Sequence, residues 1–275
     1  HVLGYTYRTD EDFISIPEIP RSHWKDAELA YAHGLIKGRT GLEEIYDENL
    51  SGRHGQRVYE MNARGQFVKP LSFTKPEQGA DLYTHLDIDA QKSAAKFLGN
   101  RKGAVVAIDL DVGGINVLYS SPAYSINKLS NGMSDYEFQT LIDDPNKPFF
   151  NRALQGRYPP ASTIKPAIGM YGLSNNIVNW DSEMKDPGFF TLPETGRIFR
   201  GWLKGGHGKV NMHKAFLVSS NTYFFSLAYE ADIRELSKHL LNLGFGQKVC
   251  LDCFDEDQVF VPTPEWKYNI MNKGW

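Results

Sequence analysis

Apolar residues in the first part of the chain come in short alternating runs separated by turn formers, a period-two pattern that predicts strands rather than long helices. Residues His1 to Arg8 read as extended, and Asn62-Ala-Arg-Gly65 turns the chain between Arg57 to Met61 and Gln66 to Phe73. Two glycines, Gly38 and Gly41, break the chain before a short helix expected at Leu42 to Glu48. Residues 1–80 are therefore expected to form a small β-rich module. From Asp81 the elements lengthen: an extended Leu82 to Leu86, then a helix from Ile88 to Leu98. Gly103 to Leu110 and Ile115 to Ser121 flank Asp111-Val-Gly-Gly114 and are expected to pair as antiparallel strands. Further helices are expected at Ser134 to Leu141, Ser162 to Leu173, Met212 to Ala228 and Ile233 to Leu243. In the last of these Ile233, Leu236, Leu240 and Leu241 share one face. Residues 81–275 then form a second, larger domain, and the whole reads as an α+β chain.

Composition narrows the functional classes. With 275 residues and 41% hydrophobic side chains the chain can bury a proper core. Its 30 basic and 33 acidic residues leave a formal charge of −3, with no excess of positive charge to hold a nucleic acid. No apolar run approaches the roughly 18 to 20 residues of a membrane-spanning helix, and no signal segment opens the chain. A membrane anchor, if the protein has one, is expected outside this sequence. Two cysteines, Cys250 and Cys253, do not make a disulfide scaffold. Their CxxC spacing fits a redox pair, half of a zinc site lacking a second cluster nearby, or two small apolar residues in a strand or turn.

The strongest chemical signal is Tyr158-Pro-Pro-Ala-Ser162-Thr-Ile-Lys165-Pro166. Two prolines end the preceding segment and Ser162 opens a helix, so a residue three further on shares its face and brings the Lys165 amine within reach of the Ser162 hydroxyl. A hydroxyl needs a base to become a nucleophile, and a lysine serves when burial disfavours its ammonium form. Helix-start N–H groups can hold a developing oxyanion. Ser-x-x-Lys by itself is common, usually a helix cap followed by a solvated lysine. Here a second element follows: Ser219-Ser-Asn221, where alternate residues Ser219 and Asn221 project the same way.

Ser-x-x-Lys followed by Ser-x-Asn is the order found in penicillin-binding proteins and class A β-lactamases. The chain also resembles the elongation-specific class B transpeptidases of the penicillin-binding protein 2 type. The resemblance rests on His1-Val-Leu-Gly-Tyr5, Gly38-Arg-Thr-Gly-Leu-Glu43, Asp143-Asp-Pro-Asn146, Asn151-Arg-Ala-Leu-Gln-Gly156, Tyr158-Pro-Pro160, Asp186-Pro-Gly-Phe-Phe190 and Gly206-His-Gly208. It implies a pedestal module followed by a transpeptidase domain in which a helical lobe packs on an antiparallel sheet. It also implies roles: Ser162 as nucleophile on the penultimate D-alanine carbonyl, Lys165 as its base, Ser219 as proton relay to the departing D-alanine, and Asn221 as the group orienting Lys165 and substrate. The partners implied are peptidoglycan stem peptides ending in D-Ala-D-Ala, β-lactams, a SEDS-family glycosyltransferase and other elongation-complex proteins, at the periplasmic face of the bacterial inner membrane. No cofactor is implied.

Two departures accompany the resemblance. The third family element, Lys-Thr-Gly, belongs far downstream of Ser219 and does not occur; Lys204-Gly-Gly206 precedes Ser219 and violates the order. Both ends look cut, and this stretch alone is expected to be inactive towards penicillin. Some relatives hold zinc beside the active site with two aspartates, a histidine and a cysteine. Here Asp186 and His207 are kept, but Gly201 and Ser220 stand at the other two places, so no metal is expected and His207 is expected to be a hydrogen-bonded loop residue. A serine β-lactamase, a penicillin sensor, and a non-catalytic scaffold lacking the Lys-Thr-Gly strand remain alternatives.

Overall fold

The computed structural model describes residues 1–8, 36–53, 55–253 and 255–272, which divide into two compact units. The first comprises His1–Gly156 together with Cys250–Asp257. Strand β1 (Thr6–Arg8) pairs antiparallel with β2 (Ile36–Gly38), and two short helices follow, α1 (Gly41–Ile45) and α2 (Asp47–Ser51). Of the extended segment expected over His1 to Arg8, only the last three residues find a partner strand. The hairpin β3 (Gln56–Met61) and β4 (Phe67–Thr74) turns on Asn62, whose side-chain oxygen accepts from the Arg64 and Gln66 amides at 2.9 and 3.0 Å.

Helix α3 (Ile88–Leu98) starts where Asp87 accepts from the Asp89 and Ala90 amides. Strands β5 (Gly103–Ile108) and β6 (Ile115–Ser121) form the expected hairpin, and the Gln91 amide ties α3 to it through both Leu118 backbone groups. Helices α4 (Ile126–Ser130) and α5 (Asp135–Asp143) follow, the second opened by a Ser134/Glu137 capping box. The guanidinium of buried Arg152 donates to the Asn146 and Lys147 carbonyls, which gives the Asp143–Asn146 and Asn151–Gly156 motifs a common structural purpose. Cys250 and Cys253 are joined as a disulfide, so of the readings open from sequence neither free thiols nor metal ligands apply to this pair. Their segment is tied in by the Asp257 amide donating to the Leu154 carbonyl at 3.0 Å.

The second unit is Arg157–Val249 with Gln258–Trp275. A 3-10 turn at Ala161–Ile164 leads into α6 (Lys165–Ser174). Short strands β7 (Met184–Asp186), β8 (Phe189–Thr191), β9 (Ile198–Arg200) and β10 (Gly208–Val210) pair antiparallel as β7 with β10 and β8 with β9. Helices α7 (Met212–Leu217), α8 (Asn221–Glu230), α9 (Ile233–Asn242) and α10 (Pro264–Met271) complete it. The core gathers Val210, Met212, Ala215, Tyr223, Phe224 and Leu227, with Ile168, Leu173 and Phe216 packed against it. Gly169 and Gly172 let α6 come close: a Cβ there would stand 2.7 Å from the Phe216 ring and 2.7 Å from a Leu227 methyl. The single helix expected over Met212 to Ala228 is instead two, broken at Val218–Ser220. That break builds the site.

Candidate active site

Ser162 lies exposed in the 3-10 turn, on a segment that Pro159 and Pro160 keep from continuing as helix upstream. Ala161 immediately before it adopts a left-handed backbone, φ 50°. Lys165 opens α6 and is buried, 7% exposed, with its ammonium 5.5 Å from the centre of the Phe224 ring. Burial lowers its pKa from the ordinary lysine value. Its three N–H donors each find an acceptor: Ser219 O at 2.8 Å, Ser219 Oγ at 3.0 Å and Asn221 Oδ1 at 2.7 Å.

The break between α7 and α8 presents those acceptors. Val218 ends α7, Ser219 turns left-handed at φ 51°, and Ser220 caps α8 by accepting from the Tyr223 amide at 3.2 Å. Ser219 Oγ reaches Ser162 Oγ at 3.0 Å. The four residues singled out from sequence, Ser162, Lys165, Ser219 and Asn221, therefore share one hydrogen-bonded cluster. The direct Ser162–Lys165 contact inferred from helical spacing is replaced by a bridge. Among the described residues Ser162 Oγ bonds to Ser219 Oγ, which bonds to Lys165 Nζ. The reason is local: Ser162 sits on a 3-10 turn while Lys165 begins the α-helix and runs inward to the α7–α8 break.

Behind Ser219 lies a second cluster. Asp186, 2% exposed at the end of β7, accepts from the Gly188 amide at 2.8 Å on Oδ1, and from His207 Nδ1 and Ser220 Oγ, both at 2.7 Å, on Oδ2. Burial alone would push this carboxyl up, but the bonds from His207, Ser220 and Gly188 outweigh it and lower its pKa to about 2. Asp186 is thus a carboxylate at neutral pH. The turns around it touch backbone to backbone: a Cβ on Gly206, at φ 70°, would stand 2.1 Å from the Asp186 carbonyl oxygen, and one on Gly188, at φ 89°, would stand 2.7 Å from the Leu203 carbonyl oxygen, which explains the glycine of Asp-Pro-Gly and the first glycine of Gly-His-Gly.

The residues do not fit the zinc that the family resemblance suggests. The two side chains able to ligate, Asp186 and His207, bind each other, Gly201 supplies no donor atom, and the Ser220 hydroxyl is already spent on Asp186. Among the described residues no three His, Cys, Asp or Glu side chains gather as metal ligands. His207 is the hydrogen-bonded loop residue expected from sequence, but its partner Asp186, and the hold of Asp186 on Ser220, were missed because those two positions were weighed only as metal ligands. The signal was the pairing of an Asp-Pro-Gly turn with a Gly-His-Gly turn.

A sequence model described as the penicillin-binding protein transpeptidase domain matches residues 103–274, and one of the penicillin-binding protein dimerisation domain matches residues 1–84. The chain belongs to the penicillin-binding protein transpeptidase family. It is 39% identical over 276 residues to the peptidoglycan D,D-transpeptidase MrdA of Acinetobacter baumannii, covering 100% of this chain and 40% of that protein. The crystal structure of Pseudomonas aeruginosa PBP2 in complex with WCK 5153 superposes with a TM-score of 0.81 at 32% identity, over 100% of this chain and 55% of that one. A Helicobacter pylori complex of PBP2 with MreC gives 0.83 at 32%, over 100% and 49%. These relatives place the chain in the penicillin-binding protein 2 type of class B, and its α+β fold is theirs. The chain spans about two fifths of the length of that curated relative.

Proposed function

We propose that the protein is a peptidoglycan D,D-transpeptidase of cell-wall elongation that works through a serine acyl-enzyme and binds β-lactams covalently. The observation that carries this reading is the chain of contacts Ser162 Oγ, Ser219 Oγ, Lys165 Nζ, exposed at one end and buried at the other. Burial biases Lys165 towards its neutral form, whose lone pair can accept from Ser219 Oγ–H while Ser219 accepts from Ser162. Ser162 Oγ then bonds to the penultimate D-alanine carbonyl carbon and its proton passes through Ser219 to Lys165. A backbone N–H at the start of the turn can hold the new oxyanion. Collapse of the tetrahedral adduct breaks the C–N bond, and the proton returns by Ser219 to the departing D-alanine nitrogen. A stem-peptide amine then attacks the ester carbonyl carbon and gives its proton to Lys165; as the C–O bond breaks that proton passes through Ser219 to Ser162 Oγ, leaving the cross-link formed and Ser162 free. Asn221 Oδ1 keeps Lys165 aimed throughout.

The proposed division of labour is a pedestal over residues 1–80 and transpeptidase chemistry in 81–275, which the matches at 1–84 and 103–274 support. The location proposed is the periplasmic face of the bacterial inner membrane, where the substrate lies; the Cys250–Cys253 disulfide suits an oxidising compartment. No described helix is long and apolar enough to cross a membrane. Relatives solved with MreC and within a peptidoglycan synthase complex support elongation-complex partners, among which we include a SEDS-family glycosyltransferase.

The test is incubation of the full natural protein with donor and acceptor stem pentapeptides. Release of one D-alanine per cross-linked dimer is expected. Release without dimer, or steady β-lactam turnover, would instead favour a hydrolase.

A further inference from the structure

Ser219 supplies two of the three acceptors on Lys165 and the contact to Ser162, yet it holds a left-handed backbone that a non-glycine residue avoids. Its neighbours must impose that conformation. On one side Ser220, fully buried, donates its hydroxyl to Asp186 Oδ2 at 2.7 Å. On the other, the Val218 carbonyl accepts from the Trp202 indole N–H at 3.0 Å. The two holds are joined, because the Trp202 ring lies against that of His207, centroids 5.2 Å apart, and His207 Nδ1 donates to the same Asp186 oxygen. Ser219 is thus gripped front and back by one closed ring of contacts. His207 Nε2, buried and with no hydrogen-bond partner among the described residues, leaves the ring fixed by Asp186 and Trp202.

We infer that Asp186 is a positioning residue for acylation, holding Ser219 against Ser162 and Lys165 through Ser220 by hydrogen bonds, in the place where the family resemblance suggests a metal. This rests on the serine acyl-enzyme reading above. Asp186 touches neither substrate nor reacting atoms, so its loss should slow the bond-forming step while leaving recognition intact. The misplacement of a reacting group by about 1 Å can cost about 100-fold.

The experiment measures acylation by a fluorescent penicillin in the full natural protein, resolving the saturating rate from the half-saturating concentration and normalising to folded protein. Asp186→Asn and Ser220→Ala should each lower the saturating rate by about 10- to 100-fold, with half-saturation moved less than about threefold. Because both act through one contact, the double variant should be no slower than the slower single. A merely destabilising pair would add in melting temperature and spare the rate of the folded fraction. If Asp186→Asn does not fold, Ser220→Ala, which deletes a single oxygen, decides. Chelation should leave the parental rate unchanged. Parental rates in the variants, alongside a Ser162→Ala protein that takes no label, would overturn the inference and leave the reading standing, whereas a labelled Ser162→Ala protein would remove the reading itself. One zinc per chain whose removal collapses the rate would also overturn the clamp.

Discussion

At the scale of single residues the proposed acylation asks Lys165 to act in two protonation states. As an ammonium it satisfies three acceptors, and as an amine it has a lone pair for the Ser219 hydroxyl. Burial disfavours the charged state, so its pKa lies below the ordinary value of 10.5 and acylation should rise with pH until that pKa is passed. The sign for stability is the same: the buried ammonium costs folding free energy below 10.5, and the cost fades as pH rises towards that value. A pH–rate profile should show one ascending limb that levels off below 10.5, missing in Lys165→Ala, which should also acylate roughly 100 to 10,000 times more slowly. A profile identical in both proteins would take the base role from Lys165. Ser219 offers a cleaner thermodynamic test. Ser219→Gly and Ser219→Ala both delete the hydroxyl and should both cripple acylation, but only alanine keeps the Cβ in a left-handed backbone, φ 51°. Glycine should be the more stable by about 1 kcal/mol in thermal or denaturant unfolding. Equal stabilities would mean that the loop relaxes out of that conformation. Nothing in the sequence announced this backbone, because neither glycine nor asparagine stands at 219, whereas motif order was enough to single out the four residues that gather in one hydrogen-bonded cluster, Ser162, Lys165, Ser219 and Asn221.

At the scale of elements the hydrophobic periodicity was a good guide to which segments are helical and a poor one to where they break. Met212, Ala215, Phe216, Tyr223, Phe224 and Leu227 keep a helical spacing across residues 212–228, so the pattern reads as one helix. The structure ends α7 at Leu217 and restarts at Asn221, since Ser220 caps α8 and Asp186 holds it there. Capping by serine is local chemistry that periodicity does not see. Strands β7 to β10 escaped for the opposite reason: each is three residues long, too short to show alternation. Packing of α6 against α8 sets the distance from Lys165 to Asn221, and Leu227, 1% exposed, is central to it. Leu227→Ala should therefore lower stability by about 2–5 kcal/mol, measured by denaturant unfolding. A loss below about 1 kcal/mol would show that this contact is not part of the core.

At the scale of the whole molecule the family and the α+β fold were readable from motifs spread over the chain, and the comparisons agree with them. Contact-based division was not readable: Cys250–Asp257, late in sequence, packs with the first unit, a tertiary choice that no local pattern encodes. The same holds for the cysteines. Their spacing allowed several uses, and pairing in the fold selects one. Alkylation under native, non-reducing conditions should modify neither Cys250 nor Cys253, and both should react after denaturation with reductant. Modification without reductant would contradict the bond. The central claim, that Ser162 is the acylated nucleophile, is tested most directly by incubating the full natural protein with a penicillin and mapping the adduct by peptide mass spectrometry. The account predicts one acyl group on the peptide carrying Ser162, absent in Ser162→Ala; an adduct on any other residue, or one that persists in the alanine variant, would contradict it.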